Sequence, residues 1–525
     1  MRRLTVLLLP IAFAFSQPGS IDKDALKGYE SILPADLKGY LSVLSSDSLE
    51  GRETTYLGQR KAAEYIAAHF RSLGLKPLGD NGTYFQHFDV DVVRVDDNSE
   101  IAVATNSGTK KFLWSKDYIS LGRRDTVVHG PVAFVGFMDS KFDSLTQSKL
   151  SGRIILAFLG TRQSAFDTNQ TRATRRLFAS RRDPGAIATL VVSDEDGPSS
   201  YGRISDFFQA IGADKGSMTL KGSLRRTIPP ANLSFVVSPA VANAVLHATG
   251  KSSKELKKLA YEDSSFSPIF MDNVDVTIKT IVVRETKESE NVLGFLEGTD
   301  QALKHETVVF SAHYDHLGKT STGIIYHGAD DDGSGTSMVM ELARAFVKNP
   351  IKPKRSLLFM TVAGEEKGLL GSEYYTSHPV LPLEQTVADL NADMIGRMDP
   401  KHEQLHQVDY TYVIGSDKIS TELDSVLRVA NNESVNFAFD YQYNDDKDPN
   451  QFYKRSDHYN FARRGIPIVF FFTGTHADYH RPTDTIDKIL FDRMAKIGQL
   501  VYTVGWKTAV MPHGFTKNVA ATTYQ

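Results

Sequence analysis

From about Asn291 onward, short apolar runs alternate with segments whose apolar positions recur every three to four residues. Residues 307–312, 356–363 and 386–392 read as strands, and 466–472 is an almost continuous apolar run, as a strand buried on both faces is. Between the first two runs, Met338, Leu342, Phe346 and Val347 mark one face of a helix, with Ser334 placed as its N-cap. Ile489, Met494, Ile497, Val501 and Val504 mark a last helix. Strands alternating with helices predict an α/β fold, a mostly parallel sheet sandwiched by helices.

The upstream half has two textures. Residues 34–75 read as helical, with Ala62, Ala63, Ile66, Phe70 and Leu73 on one face and Gly74 placed to end the run. From 92 to 281 short β-rich runs (132–137, 154–158, 190–193, 233–237) are separated by polar turns, and no catalytic constellation is found there. An arginine cluster at Arg172, Arg175, Arg176, Arg181 and Arg182 reads as a solvated face. The expected division is residues 1–16, a leader; 17–91, the N-terminal part of the main domain; 92–281, an inserted β-rich domain; and 282–525, the remainder of the main domain.

The leader rests on Met1-Arg2-Arg3, an apolar run from Leu4 to Phe15 and a small-x-small site at Ala14-Phe15-Ser16. The run falls short of the ~20 apolar residues a bilayer span takes, and no later segment qualifies. Export to the periplasm or the medium is expected. The chain has no cysteine, which excludes disulfides, thiol nucleophiles and thiolate ligands. A formal net charge of -3 gives no case for a nucleic-acid partner.

The chemistry lies at the predicted strand ends. His313-Tyr314-Asp315, the run Gly328-Ala329-Asp330-Asp331-Asp332-Gly333-Ser334-Gly335, Gly364-Glu365-Glu366, Asn391-Ala392-Asp393-Met394 and Tyr479-His480-Arg481-Pro482-Thr483-Asp484-Thr485 follow one another along the chain. Ligands in such sheets bind beyond the carboxyl ends of the strands. Imidazole nitrogens and carboxylate oxygens suit zinc, and two adjacent ions need a carboxylate to share. Taken singly, each piece has an ordinary reading: an aspartate turn, a glutamate pair at a helix start, a loop histidine.

Together, in this order, these motifs resemble the co-catalytic zinc aminopeptidase family that includes aminopeptidase S and aminopeptidase Y. The match covers roughly half the chain, and the β-rich insert looks like the protease-associated domain some members carry. The resemblance implies two zinc ions per chain. His313 and Asp393 would hold one, Glu366 and His480 the other, and Asp331 would bridge them. Asp315 would orient the His313 imidazole from behind. Glu365 would touch no metal and act as general base, then acid, on the attacking water. The implied activity is removal of N-terminal residues from peptides and proteins.

A carboxypeptidase or dipeptidase on the same site is the alternative, with Arg397, Arg463, Arg464 or Arg481 as a carboxylate clamp. A binding protein with a structural metal is the alternative of another class. Asp457-His458 either lines the substrate pocket or makes structural hydrogen bonds. His402-Glu403-Gln404-Leu405-His406 matches the helical zinc-protease pattern H-E-x-x-H, but Asp399-Pro400 and a predicted strand at 408–414 leave room for about two turns only.

Overall fold

Four apolar strands, Ile468–Phe472, Thr386–Ala392, Thr307–His313 and Ser356–Val362, lie side by side and parallel at the centre of a large sheet. Every residue in them is buried, because helices cover both faces. The computed structural model describes residues 20–159, 185–194, 200–210, 215–223, 233–263 and 265–518. The expected leader and the arginine cluster lie outside the described residues.

Antiparallel strands flank this centre on both sides, and on one side a short parallel strand follows. Tyr410–Ile414 flanks Ile468–Phe472 and carries Ala438–Asp440 at the edge. On the other side come Val282–Leu296, Phe85–Val95 and Ser217–Leu220. The fold is α/β, with four parallel strands at the centre and one further parallel pair, Tyr410–Ile414 with Ala438–Asp440, at one edge.

The chain leaves His313, crosses through the helix Gly333–Lys348 and returns as Ser356–Val362 on one side of Thr307–His313. The next strand, Thr386–Ala392, lands on the other side. Strand order therefore reverses at Thr307–His313, and a crevice opens beyond its carboxyl end. The crossover helix is buried from Gly333 through Phe346, beneath Pro34–Leu44 and Phe491–Val510. Phe346 packs on Phe310, Phe359 and Tyr502, so it welds helix to sheet. Truncating such an aromatic to alanine costs about 3–5 kcal/mol.

The cap of that helix differs from expectation. Asp332, not Ser334, is the N-cap; its carboxylate accepts from the Gly335 amide at 2.8 Å. Ser334 lies inside the first turn, where its hydroxyl donates to the Asp330 carbonyl and accepts from the Ile395 amide. The 34–75 region is two helices, Pro34–Leu44 and Leu57–Ser72, and Gly74 takes the left-handed φ of +72° that stops the second.

A second sheet draws its strands from between Glu100 and Thr280, in the order Gly108–Leu113, Glu100–Thr105, Ile269–Thr280, Thr126–Phe137, Ile154–Phe158, Ala188–Val192, Leu233–Val237, Tyr118–Ser120. It has its own core, including Phe134, Leu156, Leu190, Phe235 and Ile278. The two sheets meet at the long ribbon of Phe85–Val95 against Val282–Leu296, whose last paired residues are Val95 and Val282. Beyond that pair the Asp96 amide donates to the Ile281 carbonyl, and the Ile281 amide to Ser99 Oγ. Among the described residues no helix is long and apolar enough to cross a membrane.

Candidate metal centre

The sheet delivers each motif to the crevice. His313 is the last residue of its strand, and Asp393 directly follows Thr386–Ala392. Gly364, at φ +79°, turns the chain out of Ser356–Val362 and presents Glu365 and Glu366. His480 comes from the loop after Ile468–Phe472. The aspartate run stands at the start of the crossover helix, through a cis Asp331–Asp332 peptide.

Hydrogen bonding separates the three aspartates. Asp330 Oδ1 accepts from the Gly396 amide at 2.6 Å, and Oδ2 meets His476 Nε2 at 3.1 Å, so this carboxylate ties loops together. Asp332 Oδ1 accepts from the Gly335 and Met394 amides, and Oδ2 from the His313 amide. Asp331 faces two groups at once. Its Oδ1 is 3.4 Å from His313 Nε2, which is itself 3.7 Å from Asp393 Oδ1. Its Oδ2 is 3.1 Å from His480 Nε2, which is 3.2 Å from Glu366 Oε2. Donors bound about 2.0–2.2 Å from a tetrahedral zinc sit roughly 3.3–3.6 Å apart. The spacings fit two adjacent ions that share Asp331. Asp332 also lies within ligand range of His313 and Asp393, but its oxygens are engaged by backbone amides, so Asp331 is the better bridge.

The supporting contacts set the donors. His313 Nδ1 donates to the Asp315 carbonyl oxygen at 3.1 Å, which leaves Nε2 free to ligate. The Asp315 carboxylate is farther from that nitrogen, at 3.7 Å, and accepts instead from the Glu365 amide and the Thr54 hydroxyl. Asp315 thus holds the imidazole through its backbone and the Glu365 loop through its side chain. His313 Nε2, Asp331 Oδ2 and Glu366 Oε1 are buried without a hydrogen-bond partner among the described residues. The sequence did not single out His316, yet its Nδ1 reaches Glu366 Oε1 at 2.9 Å.

The charges are those of a cation site. Burial opposes charge on His313, yet Glu365 and Asp393 hold its pKa well above the ordinary imidazole range. Burial likewise opposes charge on His480, but Glu366 and Asp331 push it up to about 10. Burial would raise Asp331, but His313 and His480 hold it well below the carboxylate range. Glu365 behaves differently: burial first, then Glu366 and Asp393, push its carboxyl well above the ordinary range. A site that draws protons onto its histidines is short of positive charge, and divalent ions supply it by displacing those protons.

Residues 291–505 match the sequence model of Peptidase family M28. This segment belongs to that family. Aminopeptidase YwaD of Bacillus subtilis is 30% identical over 221 residues, which cover 41% of this chain and 43% of that protein. The chain spans about half the length of the curated relatives it matches. The solved aminopeptidase from Aneurinibacillus sp. strain AM-1 superposes with a TM-score of 0.56 at 18% identity, over 95% of this chain and 98% of that one. BSAP, a zinc aminopeptidase from Bacillus subtilis, gives 0.54 at 18% identity, over 92% and 97%. These structural likenesses establish the shared fold.

In the M28 segment a pocket adjoins the metal residues. Asp331, Glu365 and Asp393 form its polar end, and Met394, Phe452, Phe470 and Phe472 its apolar wall. Arg455 and Tyr479 stand at the rim, joined by a hydrogen bond of 3.1 Å. Among the arginines considered as clamps, Arg397 is paired with Asp478 and Arg464 reaches Ser377. The pocket arginine is Arg455, which no sequence pattern marked. Asp457 and His458 are buried behind the wall, bonded to Ser372 and to the Tyr453 carbonyl, so their contacts are structural.

The H-E-x-x-H motif does not form the helix that would bring its two histidines to one face. Its helix, Pro400–Gln404, ends before His406, which is exposed at φ +51°. His402 is buried, stacked on Tyr410 and bonded to Asp399 at 2.7 Å. Sequence reasoning also missed Arg52. Its buried guanidinium donates to the carbonyls of Tyr314, His327 and Gly328, and so clamps the strand end to the aspartate loop.

Proposed function

We propose that this chain is an exported, zinc-dependent aminopeptidase that binds two ions per chain. The observation that carries the reading is Asp331, whose two oxygens face His313 with Asp393 on one side and His480 with Glu366 on the other. When bound, two such ions polarise a scissile carbonyl and lower the pKa of water towards ~7. Glu365 supplies the proton transfer. Its carboxylate lies 3.9 Å from His313 Nε2, farther from that nitrogen than the oxygens of Asp331 and Asp393. Burial raises its proton affinity, so it can take a proton from the attacking water and return it to the leaving amine.

Glu365 and Asp393 also line the polar end of the pocket, where a free ammonium is favoured. The aromatic wall suits a large apolar first side chain. Arg455 is the observation that favours a second reading, a carboxypeptidase or dipeptidase with a rim cation on the terminal carboxylate. Metal analysis and turnover of amino-acid anilides test the proposal. The expected result is two zincs per chain, release of N-terminal Leu or Phe, and little action on N-acetylated peptides. Efficient cleavage of blocked peptides from the carboxyl end would transfer the assignment to the second reading. Export rests on residues 1–16, and a mature secreted chain beginning at Gln17 is the expected outcome of N-terminal sequencing.

A further inference from the structure

His316 follows the His313-Tyr314-Asp315 motif and is fully buried, and neither ring nitrogen has a hydrogen-bond partner among the described residues. Its Nδ1 lies 2.9 Å from Glu366 Oε1 and 3.8 Å from Asp331 Oδ2, and both of those oxygens are also without hydrogen bonds. The ring is fixed in place. The His316 amide donates to the Arg52 carbonyl, and Gly328 packs so close that a Cβ there would come within 2.5 Å of the imidazole. Burying a polar group unpaired costs about 1–3 kcal/mol. Three such atoms, of ligand type and within 4.8 Å of one another, converge on one point.

We propose that His316 is a sixth protein ligand. It would complete the second metal position with Asp331, Glu366 and His480, whereas the first has only His313, Asp331 and Asp393. This rests on the two-zinc reading above. Zinc with three protein donors keeps a place for water or substrate, and a fourth protein donor holds the ion more tightly, with a fifth position still open to substrate. The two ions should therefore differ in retention, the ion beside His316 being the last to leave.

Zinc content followed through a dipicolinate titration tests this on the full chain. The wild type should lose its ions in two steps. His316→Leu, which keeps most of the side-chain volume, should release the second ion at a free-zinc level roughly 10–100-fold higher. In excess chelator the metal-free variant should unfold at no lower temperature than metal-free wild type, because the unpaired imidazole is gone. A merely structural histidine would instead lower that temperature. X-ray absorption on the wild type needs no variant. It should count three imidazoles shared by two zincs, and a count of two overturns the assignment. A wild type that binds fewer than two zincs sinks the two-ion reading itself. Two ions held equally well with and without the imidazole sink His316 alone.

Discussion

At the scale of single residues, adjacent glutamates are set apart by what each oxygen meets. Glu366 lies against His480 and His316, while Glu365 stands back with a raised proton affinity. Glu365→Gln should leave both zincs bound and lower kcat by roughly 10²–10⁴-fold, since only proton transfer is removed. Glu366→Gln should lose metal. Equal metal loss in both variants, by elemental analysis, would mean the pair has been assigned the wrong way round. This scale also shows where sequence reading stops. Three consecutive aspartates carry the same local signal, and the family slot alone pointed to Asp331. Only the amide bonds to Asp332 and the His476 contact of Asp330 give a physical reason. His316 had no signal beyond its nearness to His313.

At the scale of elements, the buried strands were legible because a strand covered on both faces is an apolar run ending where its polar residues begin. The edge strand Ser217–Leu220 was not, since Ser, Met, Thr and Leu carry no such run. Strand Thr386–Ala392 holds a carboxylate inside this apolar layer, and its titration should be measurable. Burial pushes Asp389 up to about 8, against the opposing hydrogen bond from Ser311. The unfolded chain releases this proton near ~3.9. Between ~4 and ~8 the folded state therefore binds more protons than the unfolded one, and stability falls as pH rises. Asp389→Asn removes that loss. Its Tm relative to wild type should climb from pH 5 to pH 8, and a constant difference across that range would refute the buried-proton account. The short helix Pro400–Gln404 gives a second test. His402→Ala with His406→Ala should keep two zincs and near-normal kcat per folded molecule. It should cost about 1–3 kcal/mol of stability through the Asp399 bond. Zinc-free, inactive protein from that double variant would make H-E-x-x-H the real site.

At the scale of the molecule, the 96–281 region reaches the rim of the metal centre through the large sheet. Lys215, just ahead of that sheet's edge strand Ser217–Leu220, pairs with buried Glu53, and Glu53 also pairs with Lys367, the neighbour of Glu366. Lys215 further donates to the Lys319 carbonyl at 2.7 Å. None of the donors at either metal position comes from this region. Replacing residues 96–281 by a short turn removes the edge strand Ser217–Leu220 and the Lys215–Glu53 pair but no donor, so zinc binding should persist while the preferred peptide length shifts. An unchanged length profile in a folded deletion variant would reduce the region to a cap.

The Val95–Val282 pair also governs how the chain finds its fold. The ribbon it closes joins strands separated by the whole of residues 96–281. For a flexible chain that closure is about five doublings longer than a tight turn, roughly 3 kcal/mol of entropy. If the second sheet forms first, its own ends come together at Asp96 and Ile281, and the ribbon then zips as a hairpin. The region between the strands thus sets the rate at which the metal centre assembles. Mutations that loosen its core at Phe134 or Leu190 should slow refolding of the large sheet, though neither residue lies in that sheet.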